Sequence, residues 1–233
     1  AIVALASCTK TQVVYTEAPA EIGVQTYASA MTKADLGESV HLGVFAEWVN
    51  TSDEVSNYFD NKDFSKQSGV WKGGQYWPKE GSLNFTFYAP YMESGAEYDD
   101  ETKTLTLTIP DNSDSQTDYL VGSTRPMNKT YVADQAVGIV LQHALASVKV
   151  TAVADKDIYE LTSVTLNDTK QAGKLDFVYE DDGTSYEASV NGEATGEKDF
   201  TLVNTPTAVP LAAAAVGNEN GYLVFPSTST SLT

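Results

Sequence analysis

The chain has a single cysteine, Cys8, and a single arginine, Arg125, among its 233 residues. One cysteine excludes an internal disulfide framework. Fourteen Lys and Arg against 32 Asp and Glu leave a net charge of −18. That balance excludes nucleic acid as a partner, because phosphate-backbone binding needs clustered basic side chains. Histidine is scarce too, with only His41 and His143. Neither accompanies a G-x-S-x-G, an H-E-x-x-H or a phosphate-binding glycine loop, so the sequence indicates no enzyme and no cofactor. After Cys8 no apolar run approaches the roughly 20 residues that a membrane-spanning helix requires. Amphipathic helix patterns are missing as well; the alanine-rich Leu211–Val216 is too short to stand alone.

What is present favours strands. A hydrophobic content of 42% is enough for a folded core in a chain of this length. Thirteen Tyr and eight Phe, with many Thr and Val, are the residues that suit a pleated, half-buried surface. An acidic surface of this kind suits an exported protein that must stay soluble at the cell face.

The first residues, Ala1-Ile2-Val3-Ala4-Leu5-Ala6-Ser7-Cys8, form an apolar run ending in small residues and the lone cysteine. Leu5-Ala6-Ser7-Cys8 fits a bacterial lipobox, in which the cysteine is lipidated and becomes the new N-terminus. Several acyl chains on one residue would supply stable membrane anchoring. The run lacks Met and a basic segment before it, and the chain stops directly after the strand pattern Tyr222–Phe225. Both ends are therefore expected to be clipped relative to the gene product.

Thr9–Pro19 reads as a polar tether, and Glu21–Ala30 as a first strand with Ile22 and Val24 on one face. Lys33, in Met31-Thr32-Lys33-Ala34, is open to a trypsin-like protease if it lies in a loop, but by itself it reads better as an ordinary solvated lysine. Val40–Trp48 alternates as a half-buried strand, Asn50–Ser68 is polar and loop-like, and Gly73-Gly74 marks a hairpin between two aromatic segments. Trp71, Tyr76 and Trp77 would form a stacking platform for sugar rings or fill the core. Leu83–Pro90 is the strongest strand, and Thr104–Ile109 is another. Asp111–Asp118 reads as a solvated acidic turn rather than a calcium loop, since it lacks the EF-hand's central Gly and its final Glu. Val137–Val153 suggests a buried strand bending toward a second sheet, with His143 as a hydrogen-bonded structural residue. From Ile158 onward strands are shorter and turns closer, including Asp181-Asp182-Gly183 and Asn191-Gly192. The rhythm is that of antiparallel β-sandwiches, and it changes near Ala154–Asp157.

This ordered series resembles the fimbrillin family of Bacteroidota surface fimbriae. The residues that carry the resemblance are the lipobox, Thr32-Lys33-Ala34, Leu42-Gly43-Val44-Phe45, and Trp71 with Tyr76-Trp77-Pro78. Leu83–Tyr91, Gln116–Val121 and His143–Val150 complete it. The resemblance implies an all-β chain of two transthyretin-like Greek-key sandwiches, residues 34–154 and 155–233, preceded by a signal, tether and removable first strand at 1–33. It implies an outer-membrane lipoprotein held through Cys8, and a trypsin-like protease that cuts after Lys33, where an arginine is commoner. Other fimbrial subunits would be the partners, joined head to tail by strand exchange, with no metal and no catalytic residue. The family's C-terminal donor strand is not recognisable after Phe225-Pro226. An alternative from another class is a monomeric outer-membrane lipoprotein that binds surface glycans through Trp71, Tyr76 and Trp77.

Overall fold

The computed structural model describes residues 19–26, 36–108, 117–127, 136–156, 159–179, 186–190, 195–203, 207–208, 212–217, 221–226 and 231–232. Among them every regular element is a strand, and no helix is long and apolar enough to cross a membrane. The first half contains β1 (Glu21–Thr26), β2 (Leu42–Val49), β3 (Val55–Gln67), β4 (Val70–Tyr76) and β5 (Ser82–Ala89). It continues with β6 (Ala96–Asp99), β7 (Thr104–Thr108), β8 (Leu120–Met127), β9 (Val137–Ile139), β10 (Gln142–His143), β11 (Ala146–Val148) and β12 (Thr151–Ala152). The second half has β13 (Glu160–Leu161), β14 (Val164–Tyr179), β15 (Tyr186–Val190) and β16 (Thr195–Val203). It ends with β17 (Thr207–Ala208), β18 (Ala214–Ala215), β19 (Tyr222–Val224) and β20 (Ser231–Leu232).

An eight-stranded sheet runs β10-β8-β5-β2-β3-β4-β1-β9 and folds over at β3. The first part of β3, up to Phe64, pairs with β2, whereas Ser65–Gln67 pair with β4. Register shifts near Ala46 and the positive φ of Asn61 mark where the long strand bends. The fold-over puts Ile22, Val24 and Trp71 opposite Leu42, Val44, Phe85 and Phe87, and these form the first core. Alternation places the opposite side chains of β2 and β5, Phe45 and Tyr88, on the other face. There they meet Leu105, Leu107, Leu175 and Phe225 in a second core. The β2–β5–β8 layer is thus buried on both sides, which accounts for the unbroken burial of residues 42–47. Val40–Trp48 is not the half-buried strand its alternation suggests.

A second sheet is built around the 16-residue β14, which pairs with β7, β15, β16 and β20. β6 and β7 come from before residue 154 and β14 from after it, so this sheet draws on both halves of the chain. A third core, including Val164, Leu166, Phe200, Tyr222 and Val224, lies between β14, β16 and β19.

Several local expectations are corrected. The polar stretch from Asn50 to Ser68 is mostly the strand β3; apart from Phe59 and Phe64, which reach the first core, its side chains are largely solvated, so it carries no apolar alternation. Gly73-Gly74 is not a hairpin. β4 runs straight through it, and the turn sits at Ser68-Gly69, both with positive φ, two residues that join Gln67 to Val70. Gly73 is there for close packing instead: a Cβ would lie 2.4 Å from the Phe64 ring. Val137–Val153 is divided into four short strands rather than one. The turns at Asp181–Gly183 and Asn191-Gly192 lie outside the described residues.

Candidate functional site

The site follows from where β1 sits. Its sequence Glu21-Ile22-Gly23-Val24-Gln25-Thr26 alternates, and Ile22 and Val24 are both 0% exposed. β1 pairs antiparallel with β4 (Gly23 with Lys72, Val24 with Trp71) and parallel with β9 (Val24 with Val137, Gln25 with Gly138, Thr26 with Ile139). At its start the amide of Trp77 donates to the carbonyl of Ala20 at 2.9 Å, and Lys72 Nζ lies 3.2 Å from Glu21 Oε2. β1 therefore separates two strands that have no ladder between them. Without it, β4 and β9 would face each other across about 9.5 Å, two strand spacings, with unpaired amides and carbonyls on both sides. The floor of that slot would be the first core, including Trp71, Val137 and Ile139.

Residues 36–40, the next described segment after β1, have their own fastening. Lys66 Nζ donates to the carbonyl of Leu36 at 2.9 Å, lies 3.6 Å from Glu38 Oε1 and sits 4.6 Å above the Trp71 ring. Trp71 Nε1 donates to the carbonyl of Val40 at 2.8 Å, and Leu36 and Val40 pack on the core. Side chains of β3 and β4 thus fasten residues 36–40. The expected lipid-bearing Cys8 and the expected cleavage residue Lys33 both lie outside the described residues.

The three aromatics part company. Trp71 is 1% exposed and Trp77 8%, with Trp77 set edge-on to Phe85 at 5.8 Å; Tyr76 alone is open, at 47%. They share no exposed surface on which a sugar ring could stack, because successive residues of a strand face opposite sides. Tyr58, an aromatic anchor in the otherwise polar 50–68 stretch, donates to the carbonyl of Tyr76 at 2.7 Å, and burial raises its phenol pKa.

Each histidine pairs with a carboxylate at the surface: His41 Nδ1 with Asp63 at 2.7 Å and His143 Nδ1 with Asp118 at 2.5 Å. Among the described residues no group of three or more His, Cys, Asp or Glu is placed to hold a metal ion. A cleft of about 400 Å³ opens between β2, β3 and β6, lined by Phe45, Glu47, Asn57, Asp60, Glu97 and Tyr98 among others. Its buried carboxylate, Glu47, is already matched by Lys103 Nζ and by Asn84 Nδ2 at 3.3 Å. Those partners offset the cost of burying its charge.

Fold and site together define a β-sandwich protein in which the first described strand, β1, lies second from the edge of its sheet. Residues 29–233 match the family described as fimbrillin-like, and the chain belongs to that family. Among solved structures, a proposed cell adhesion protein from Bacteroides ovatus is similar, at 12% identity and a TM-score of 0.44, covering 93% of this chain and 97% of that one. No curated protein matches the sequence.

Proposed function

We propose that this protein is a structural, accessory or tip subunit of a bacterial cell-surface fimbria, that it mediates adhesion, and that it polymerises by protease-triggered strand exchange. The observation that carries the reading is the place of β1: two wholly buried aliphatic side chains on a strand that bridges β4 and β9 and precedes Lys33. In this reading the precursor is lipidated at Cys8 and carried to the outer membrane. A trypsin-like protease cuts after Lys33, β1 leaves, and a strand from a neighbouring subunit takes its slot. Main-chain hydrogen bonds to β4 and β9 would supply affinity, and the pockets of Ile22 and Val24 would supply specificity. The contact is head to tail, so it propagates as a filament instead of closing. The Lys66–Trp71 fastening of residues 36–40 supports the same scheme, because it holds the new N-terminal segment while β1 departs.

The role is architectural, not catalytic. The body comprises two transthyretin-like sandwiches, residues 34–154 and 155–233, with β6 and β7 lent across the division to β14. The glycan-binding alternative loses its platform once Trp71 and Trp77 are counted as core.

Intact-mass analysis of the protein from its own cell surface, before and after trypsin, tests the proposal. A mature N-terminus at Ala34 with ladders that resist SDS is the expected result. A lipidated Cys8 on a permanently monomeric species would overturn it.

A further inference from the structure

We infer that the β1 slot selects its incoming strand by a specific quartet: an acidic residue, a large aliphatic one, a glycine, and a β-branched one. This rests on the strand-exchange reading above and names the partner strand that the slot would take: a strand of a second subunit running antiparallel to β4, as β1 does.

Alternation alone would specify only the two inward positions, filled here by Ile22 and Val24. The position between them faces the opposite side of the layer and ought to be free. It is not. A Cβ at Gly23 would stand 2.9 Å from Val70 Cγ1 and 3.7 Å from the Ala136 Cβ. Val70 is β-branched and stiff about χ1, so its methyl cannot swing aside as the tip of a long side chain would. The ladder with β4 shifts register between Glu21 and Gly23, but from Gly23 onward the inserted backbone is paired on both sides. It is held on one side by the pairing of Gly23 with Lys72 and Val24 with Trp71, and on the other by the pairing of Val24 with Val137. A strand that fills both pockets in this register must therefore carry glycine between its anchors. The residue before the first anchor comes to lie beside Lys72, whose Nζ is 3.2 Å from Glu21, which favours an acid there.

The first test uses the full chain. Gly23→Val is expected to lower the folding equilibrium constant roughly tenfold or more, the usual consequence of overpacking a tight site. In a Val70→Ala background the same substitution should cost only a small part of that, measured by urea unfolding. Equal losses in both backgrounds would overturn the glycine rule. The second test uses the chain nicked after Lys33 with β1 still bound, challenged with fluorescent peptides of the Glu21–Thr26 sequence. The parent peptide should exchange into the slot. Its Gly23→Val version should not, until the protein carries Val70→Ala, and its Glu21→Lys version should exchange more weakly. Equal exchange by parent and valine peptides would overturn the rule while leaving strand exchange intact. No exchange by any peptide, with the full-chain coupling between positions 23 and 70 still present, would overturn strand exchange itself and with it the claim about a partner.

Discussion

β1 and β14 are both paired along their length, yet β1 pairs with two strands and β14 with four. The difference lies in what each strand joins. β1 lies one strand in from the end of a sheet, between β4 and β9, and contributes to the first core alone. β14 is divided by an irregularity at Asp168, which has a positive φ, between register positions Leu166 and Thr169. Before it, Val164 and Leu166 face the third core; after it, Leu175 and Phe177 belong to the second. A bulge lets one strand bend and serve two cores. Taking out β14 would dissolve four ladders, whereas taking out β1 costs two and orphans only β9. A chain that must lose a strand on maturation can lose the first kind, not the second.

The sharpest way to break this contrast is to weaken the β14 hub. Phe225 is 0% exposed in the second core, and its ring lies where a Cβ on Gly173 would be, 2.6 Å away. Phe225→Ala is expected to cost about 4 kcal/mol, the usual penalty for truncating a core aromatic. In urea unfolding the whole chain should lose stability, as β2 and β5 contribute to the same core through Phe45 and Tyr88. Ile22→Ala comes next, at about 3 kcal/mol in the uncleaved chain. Its signature is locality: hydrogen exchange should quicken in β1 and β9 while β14 keeps its protection. Global loosening by Ile22→Ala would erase the distinction between the two strands.

Much of the first half of the chain is legible in the sequence because period-2 alternation survives wherever one face of a strand is apolar. Leu83–Ala89 and Thr104–Thr108 are of this kind, and so are Ile22 and Val24. Legibility fails where side chains stop reporting the backbone. β3 is a strand because β2 and β4 offer it ladders, while residues 55–58 point into water. β14 is continuous although Asn167-Asp168 has the composition of a turn, since β16 and β20 pair on either side of its first half. The slot was half visible. Two aliphatics two residues apart announce a buried face, but the parallel partner Val137–Ile139 is more than a hundred residues away, and Val70 above Gly23 is a contact that no local pattern encodes.

The shared layer gives a pH handle on the same comparison. Tyr88 lies on β5 facing the second core, and burial pushes its phenol up to about 12, against hydrogen bonds with Met92 and Asn61 that pull the other way. The folded state therefore keeps this proton when the unfolded chain, at the ordinary value near 10, has released it. Tyr88's contribution is full below pH 10 and is lost as pH rises toward 12. Tyr88→Phe should flatten that limb of a stability–pH curve. An unchanged limb would mean that other groups govern alkaline unfolding and that the layer is less sealed than its burial indicates.

The smallest expected effect is the most discriminating for β1. Lys66 has a side chain only 10% exposed, and its charge is used three ways: on the Leu36 carbonyl, near Glu38, and over the Trp71 ring. Lys66→Met keeps the packed stem and removes the charge, at a cost of about 1 kcal/mol for a partly desolvated cation–π contact and hydrogen bond. If residues 36–40 are fastened independently of β1, amides of that segment should exchange faster in Lys66→Met while those of Val24 and Gln25 stay as they were. Should β1 loosen together with 36–40, the two would form one cooperative unit. A cut between them would then release both, and the first strand could not leave without unfastening the segment that must remain behind.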